Sequence, residues 1–243
     1  MVPESNSISF IVSCYNEENN IKNTINEINL AVNNSIIEKY EIIIVDDGSI
    51  DQTLQIAEKL QDDDTHIKII RNLRNIGLGG AVKKGLIEAK LDKVMFLPGD
   101  NSHQSSEIKK LINTDDNNDL VLTYYSNLEV RTFVRNYFTK IYTPFLNLIF
   151  GLNLPYYNGI GVYKRSILKD ISINTNSFTW QIEVLLKLFK TKNINYVIVP
   201  TKLEERTKGK SKAFRIKNSI YVIYSITRLF IIKFFLKKNK FKN

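Results

Sequence analysis

Residues 40–53 read YEIIIVDDGSIDQT, and no other stretch narrows the choice of fold as far. After its first residue, the run Glu41 to Val45 is β-branched and apolar, which suits a strand buried on both faces of a parallel sheet. It stops at Asp46-Asp47-Gly48-Ser49. Two carboxylates and a glycine at a strand's C-terminal end, ahead of a helix, stand where open α/β sheets bind their ligands. Asp51 or Ser49 can cap the helix expected over Thr53 to Leu60. Turn chemistry alone also produces Asp-Asp-Gly-Ser, so the neighbouring segments have to decide.

They repeat the pattern. Ser7 to Ser13 reads as a strand that breaks into Cys14-Tyr15-Asn16-Glu17-Glu18, and from Glu18 onward Ile21, Ile25 and Ile28 mark a helix. His66 to Arg71 is a third strand. Asn75-Ile76-Gly77-Leu78-Gly79-Gly80-Ala81 follows and leads into a helix over Ala81 to Ala89. Its glycines lack the spacing of a Walker loop or a dinucleotide fingerprint. They point instead to close approach of the helix to a ligand or to the sheet. Lys93 to Leu97 is a fourth strand, ending in Pro98-Gly99-Asp100-Asn101-Ser102-His103, and Asp119 to Thr123 is a fifth. Strands alternating with helices over short connections specify a parallel, doubly wound sheet.

Further on the pattern changes. Arg131 to Tyr157 is rich in aromatics and leucine and is broken by Pro144, Gly151 and Pro155. Gly159 to Lys164 reads as a short strand, Thr179 to Phe189 as a helix and Tyr196 to Pro200 as a last strand. The basic run Arg206-Thr207-Lys208-Gly209-Lys210-Ser211-Lys212 comes next. Ile220 to Leu236 is strongly apolar yet holds Arg228 and Lys233. At about 17 residues it is at the short limit for a membrane span. A helix lying on the membrane surface, helped by the basic tail Lys237 to Lys242, is the expectation. Packing against the rest of the chain or a partner chain stays open as the alternative. No internal repeat or low-complexity linker marks a domain boundary.

The net charge of +9 calls for an anionic partner: a nucleotide, a nucleic acid or an acidic membrane surface. The basic residues thicken toward the C-terminus without forming a reading motif, which argues against nucleic acid. Cys14 is the only cysteine, which excludes an internal disulfide and a cysteine-based zinc site. The N-terminal VPESNS lacks the charged-then-apolar pattern of a signal peptide, so a cytoplasmic location is expected.

Taken together, VSCYNEE (12–18), VDDGSIDQT (45–53), NIGLGGA (75–81), PGDNSH (98–103) and RTKGKSK (206–212) resemble the family 2 inverting glycosyltransferases. Within that family the likeness is nearest to the polyprenyl-phosphate hexosyltransferases of the dolichol-phosphate-mannose-synthase type, and it covers roughly residues 7 to 215. The resemblance implies a GT-A fold: a Rossmann-like, mostly parallel sheet flanked by helices, with amphipathic interfacial helices toward the C-terminus. Residues 1–215 would form the transferase domain, and 216–243 an apolar, basic helix for membrane or partner contact. It also implies that Ser13, Tyr15, Glu17, Asp46, Asp47, Gly77, Gly79 and Gly99 line the nucleotide-sugar site, with Asp47 more firmly placed than Asp46. Carboxylates suit ribose hydroxyls and base N–H groups because ionised oxygens accept strong hydrogen bonds. For Glu17, a first-turn helix residue facing the helix dipole is the plainer alternative.

Asp100 matches the metal-binding position, where Mg²⁺ or Mn²⁺ would bridge the diphosphate, although Pro98 and Gly99 stand where the family carries a further aspartate. A hard cation needs only one or two carboxylates when substrate phosphates supply the other ligands. His103 matches a histidine common in the lipid-phosphate subgroup. The family's Gly-Ser-Arg after the fifth strand reads Thr123-Tyr124-Tyr125, so one phosphate-binding arginine is absent, and its Asp before Ser-Gly is replaced in Tyr157-Asn158-Gly159-Ile160-Gly161. Arg135, Arg206, Lys210 and Ser211 match positions that would meet anionic oxygens of donor or acceptor. In FTWQIE, Gln181 and Glu183 would face the sugar, with a packed helix bearing one polar face as the alternative.

The function implied is transfer of a hexose, with inversion, from a nucleotide-sugar to a polyprenyl phosphate or another lipid-linked acceptor. The site would lie at the inner face of the cell membrane, the chain peripheral to it, with homo-oligomerisation left open. A rival is extension of a polysaccharide or glycolipid at a sugar hydroxyl, which needs a general base, Glu183 being the first suspect. Another is a nucleotide-sugar-binding protein that has lost catalysis, suggested by Pro98.

Overall fold

The computed structural model describes residues 6–33, 35–114, 117–128 and 133–204 together with Phe230, and for 133–138 the backbone alone. Seven strands form one sheet: β1 (Ser7–Cys14), β2 (Lys39–Asp46), β3 (Ile67–Arg71), β4 (Lys93–Pro98), β5 (Leu120–Tyr125), β6 (Val162–Lys164) and β7 (Tyr196–Thr201). Their order across the sheet is β3-β2-β1-β4-β6-β5-β7. Only the short β6 runs against the others, pairing antiparallel with both β4 and β5. The sheet is therefore doubly wound and mostly parallel, as the sequence predicts.

Strict alternation along the strands divides the core. Ile11, Ile43, Val45, Val94, Phe96 and Leu122 face one side, where α3 (Leu78–Glu88), α5 (Phe133–Phe150), α6 (Arg165–Leu168) and α7 (Trp180–Thr191) pack. Phe10, Val12, Ile42, Ile44, Met95 and Leu97 face the other, covered by α1 (Ile21–Asn33), α2 (Thr53–Asp63) and α4 (Ser105–Ile112). Side chains at successive strand positions point to opposite faces, so an unbroken apolar run such as Ile42–Val45 fits only a strand with helices on both sides. At Gly85 an added Cβ would lie 2.3 Å from Ile11 Cγ2, so α3 rests directly on β1.

Two elements depart from expectation. α3 begins three residues before Ala81, among the glycines themselves. α5 runs straight through Pro144, which was expected to break it, and stops at Gly151, whose φ of 64° suits a helix C-terminus. A proline inside a helix costs about 3 kcal/mol, and Thr143, Leu146 and Phe150, buried on either side of it, offset that cost. Apart from Phe230, the 220–236 segment lies outside the described residues, and among those described no helix is long and apolar enough to cross a membrane.

Candidate functional site at the C-terminal edge of the sheet

The parallel strands deliver four loops side by side. Cys14 is in register with Asp46, Asp46 with Arg71, and Ser13 with Pro98. The loops after β1 and β2 are laced together. Asn16, held at a positive φ of 53°, donates its N–H to Ser49 Oγ at 2.9 Å and accepts the Ile50 N–H at 2.9 Å through Oδ1. Asparagine tolerates this backbone better than most side chains. Glu17 N–H donates to Thr53 Oγ1 at 2.7 Å, and Gln52 N–H donates to Glu18 Oε2 at 3.0 Å. Asp51 accepts from the Thr53 N–H at 3.0 Å, so it does reach the first turn of α2, while Ser49 is committed to Asn16.

Asp47 ties in the third loop. Its Oδ1 accepts from Asn72 Nδ2 at 2.8 Å and from the Ile76 N–H at 2.9 Å, and its Oδ2 from the Gly77 N–H at 2.9 Å. Burial pushes its pKa above the usual carboxylate value, against the pull of those three donors. Asp46, equally buried, accepts the Ser49 N–H at 3.2 Å and closes the turn over Gly48. An added Cβ on Gly48 (φ 72°) would lie 2.6 Å from the Arg74 carbonyl carbon, so only glycine fits between the second and third loops. Asn72 is a contributor that the motifs do not mark; its one signal in the sequence is a polar residue immediately after β3.

The glycine turn also has a neighbour from further along the chain. Its close contact is with the backbone of residues 175–176: the Gly79 N–H donates to the Asn176 carbonyl at 3.0 Å. Added Cβ atoms at Gly77 and Gly79 would each come within 2.4 Å of a carbonyl oxygen, that of Asn176 and that of Thr175 respectively.

Asp100 follows β4 on the same edge. The Gly99 N–H donates to the Ser13 carbonyl at 2.9 Å, and Asp100 Oδ1 accepts from the Ser102 hydroxyl at 2.6 Å and its N–H at 3.2 Å. Tyr15 is half-buried in the first loop, and Glu17 accepts from Asn20 Nδ2 at 2.7 Å. Buried His103 stacks on Tyr125 with ring centres 5.9 Å apart, and Tyr125 meets Tyr156 edge-on at 5.3 Å. An aromatic cluster thus occupies the end of β5, where an arginine was missing from the motif. Cys14 is buried, and burial, then Asp46, pushes its thiol far above the usual range, so it is inert at neutral pH.

Gln181 and Glu183 lie in the first turn of α7, both buried. Gln181 Nε2 donates to the Gly159 carbonyl at 2.6 Å and to Tyr163 Oη at 3.1 Å. Glu183 accepts from the Asn174 and Thr175 N–H groups at 3.1 and 3.0 Å and from Lys187 Nζ at 2.6 Å. Among the described residues no three His, Cys, Asp or Glu side chains cluster as metal ligands. Arg206, Lys210 and Ser211 lie outside the described residues, as does the side chain of Arg135.

Residues 9–172 match the family model described as "Glycosyl transferase family 2". A cholesterol galactosyltransferase of Borreliella burgdorferi is 36% identical over 120 residues, covering 49% of this chain and 32% of that protein. A dolichol-phosphate mannosyltransferase of Pyrococcus furiosus is 26% identical over 215 residues, covering 84% of this chain and 58% of that protein. The chain therefore spans less than two thirds of the length of either. Among solved structures, glucosyl-3-phosphoglycerate synthase from Mycobacterium tuberculosis, in complex with Mn²⁺, UDP and phosphoglyceric acid, superposes with a TM-score of 0.62 at 20% identity. That match covers 84% of this chain and 72% of the other. The shared architecture is the GT-A fold.

Proposed function

The chain belongs to glycosyl transferase family 2, and on that premise we propose that it transfers a hexose, with inversion, from a nucleotide-sugar to a polyprenyl phosphate. The observation that carries this reading is the convergence of the loops after β1, β2, β3 and β4 on one edge, bringing Tyr15, Glu17, Asp46, Asp47 and Asp100 together. Asp47 and the laced loops orient the nucleoside; Asp100 faces the diphosphate.

A divalent cation fits this set as a shared ligand rather than a resident one. Asp100 is the single carboxylate of its loop, and the Ser102 hydroxyl and N–H fix its Oδ1. Mg²⁺ and Mn²⁺ are commonly held by one or two carboxylates with substrate phosphates completing the sphere. When bound, the metal would neutralise charge on the departing diphosphate. A lipid phosphate is an anion already and attacks without a general base, consistent with the engagement of both Glu183 oxygens by N–H groups and Lys187.

The acceptor reading draws on the relative named for dolichol phosphate and on α5. Between β5 and β6, α5 exposes Ile141, Phe145 and Leu148 at spacings of four and three, a stripe suited to lipid. Arg135, Arg206, Lys210 and Ser211 would supply the phosphate contacts at the inner membrane face. A second reading, a sterol or glycolipid hydroxyl as acceptor, is favoured by Tyr125 in place of an arginine and by the cholesterol galactosyltransferase likeness. Purified protein offered UDP- and GDP-hexoses with Mn²⁺, and either short-chain polyprenyl phosphate or a neutral glycolipid, separates the two. An acid-labile sugar phosphate of inverted configuration is the expected product; transfer to the neutral lipid alone would overturn the proposal.

A further inference from the structure

The first turn of α7 reaches in two directions. Gln181 and Glu183 are two positions apart, hence about 200° around the helix. Gln181 turns toward Gly159, which borders β5, and Glu183 toward residues 174–175, a strap that crosses the N-terminus of α3. Lys187 closes the strap from below, donating to Glu183 Oε1 and to the Ser172 carbonyl, each at 2.6 Å. Glu183 is 2% exposed, so its charge is matched by these donors and not by water.

The strap in turn shapes the glycine turn. Asn176 accepts the Gly79 N–H through its carbonyl, and its side chain accepts from Lys83 Nζ at 2.6 Å. The absence of side chains at Gly77 and Gly79 lets the strap backbone approach so closely that neither can shift alone. The same turn presents the Ile76 and Gly77 N–H groups to Asp47. A continuous path of hydrogen bonds and backbone contact runs from Glu183 through 174–176 and 76–79 to Asp47.

We propose that Glu183 is a positioning residue for the nucleotide-sugar donor, acting through the 174–176 strap on the glycine turn and so on Asp47. It does not serve as the base that activates an acceptor. The inference rests on the reading of the chain as a nucleotide-sugar-dependent transferase. Physically, both oxygens of this buried carboxylate are engaged by two N–H groups and an ammonium of the strap and α7, so its contacts serve the strap.

The test uses the full chain, its Glu183→Gln variant and the milder Lys187→Met variant, which keeps the carboxylate. Backbone hydrogen exchange without ligand reads the path directly. Glu183→Gln should accelerate exchange at 174 and 175 and also at 76, 77 and 79, and Lys187→Met should do the same more weakly. Calorimetry with UDP or GDP and Mn²⁺, without acceptor, should show affinity reduced about tenfold in Glu183→Gln, with donor KM rising in step. The acceptor KM and the shape of the kcat pH profile should stay as in the wild type. Acceleration at 174–175 without 76–79 would overturn the proposal. So would an unchanged donor KM with a collapsed kcat and a lost limb of the pH profile, the signature of a base. Should the wild type bind neither nucleotide and transfer no sugar, the transferase reading fails, and the exchange data alone decide whether Glu183 governs the turn.

Discussion

The strands β3, β2, β1 and β4 bring the loops that follow them to one edge directly, whereas on the β6-β5-β7 side that edge is filled from the end of β5, the segment before β6 and the first turn of α7. On the first side the contacts join segments that each follow directly from a strand: 15–18 with 49–53, and 46–47 with 72–77. On the second they join pieces scattered along the chain. Thr123 donates its hydroxyl to the Ile160 carbonyl at 2.7 Å, Tyr125 meets His103 and Tyr156, and Gln181 holds Gly159. The first side, the proposed donor side, is built from carboxylates and amides answering backbone N–H groups; the other side is built largely from aromatic faces. On the proposed reading, a nucleotide would be met by the fixed polar groups and an apolar acceptor by the shape of the aromatic side.

The sharpest way to break this division is Asp100→Asn. With the loop backbone kept by Gly99 and Ser102, we expect turnover to fall by roughly 10²–10³-fold with an unchanged melting temperature. Full activity of the variant, or of the wild type in excess chelator, would remove Asp100 from the donor side.

Matched glycine substitutions sharpen it. Gly79→Ala would place a Cβ 2.4 Å from the Thr175 carbonyl, and Gly159→Ala one 2.3 Å from Thr123 Oγ1. Each should cost about 1–3 kcal/mol of stability by overpacking. Kinetically they should part: donor KM rises in the first, acceptor KM in the second. If both raise the same constant, the two sides are not separate.

The smallest expected effect is on acid stability. Burial alone would raise the pKa of Glu41, but hydrogen bonds from Lys68, the Lys90 N–H and Ser9 outweigh it and hold the carboxyl below its usual 4.5. The folded state thus favours the ionised form, so the stabilisation is complete above that usual value and is lost as pH falls through the lowered one. Asp47 has the opposite sign: burial raises its pKa, and stability declines as pH rises through that range. Because Lys68 is half-exposed, we expect only about 1 kcal/mol from the Glu41 cluster. Urea titrations at falling pH should show this loss in the wild type and not in Glu41→Gln; an equal loss in both would assign it elsewhere.

Local sequence was enough to determine the edge formed by the loops after β1, β2 and β4. The apolar run at Ile42–Val45, the strand ends at Cys14, Asp46 and Pro98, and the polar loops after them are each written in a handful of consecutive residues, because side-chain alternation and turn chemistry act over that range. Even there, tertiary structure decided what the groups touch. Asp47 engages Asn72 and the glycine turn, and Gly77 and Gly79 are required by the backbone of 175–176, far along the chain. The passage of α5 through Pro144, the antiparallel insertion of β6 and the two-way reach of Gln181 and Glu183 were likewise settled by burial. Such contacts depend on which distant surfaces the sheet brings together, and a helix or loop carries no local mark of the backbone that will come to lie against it.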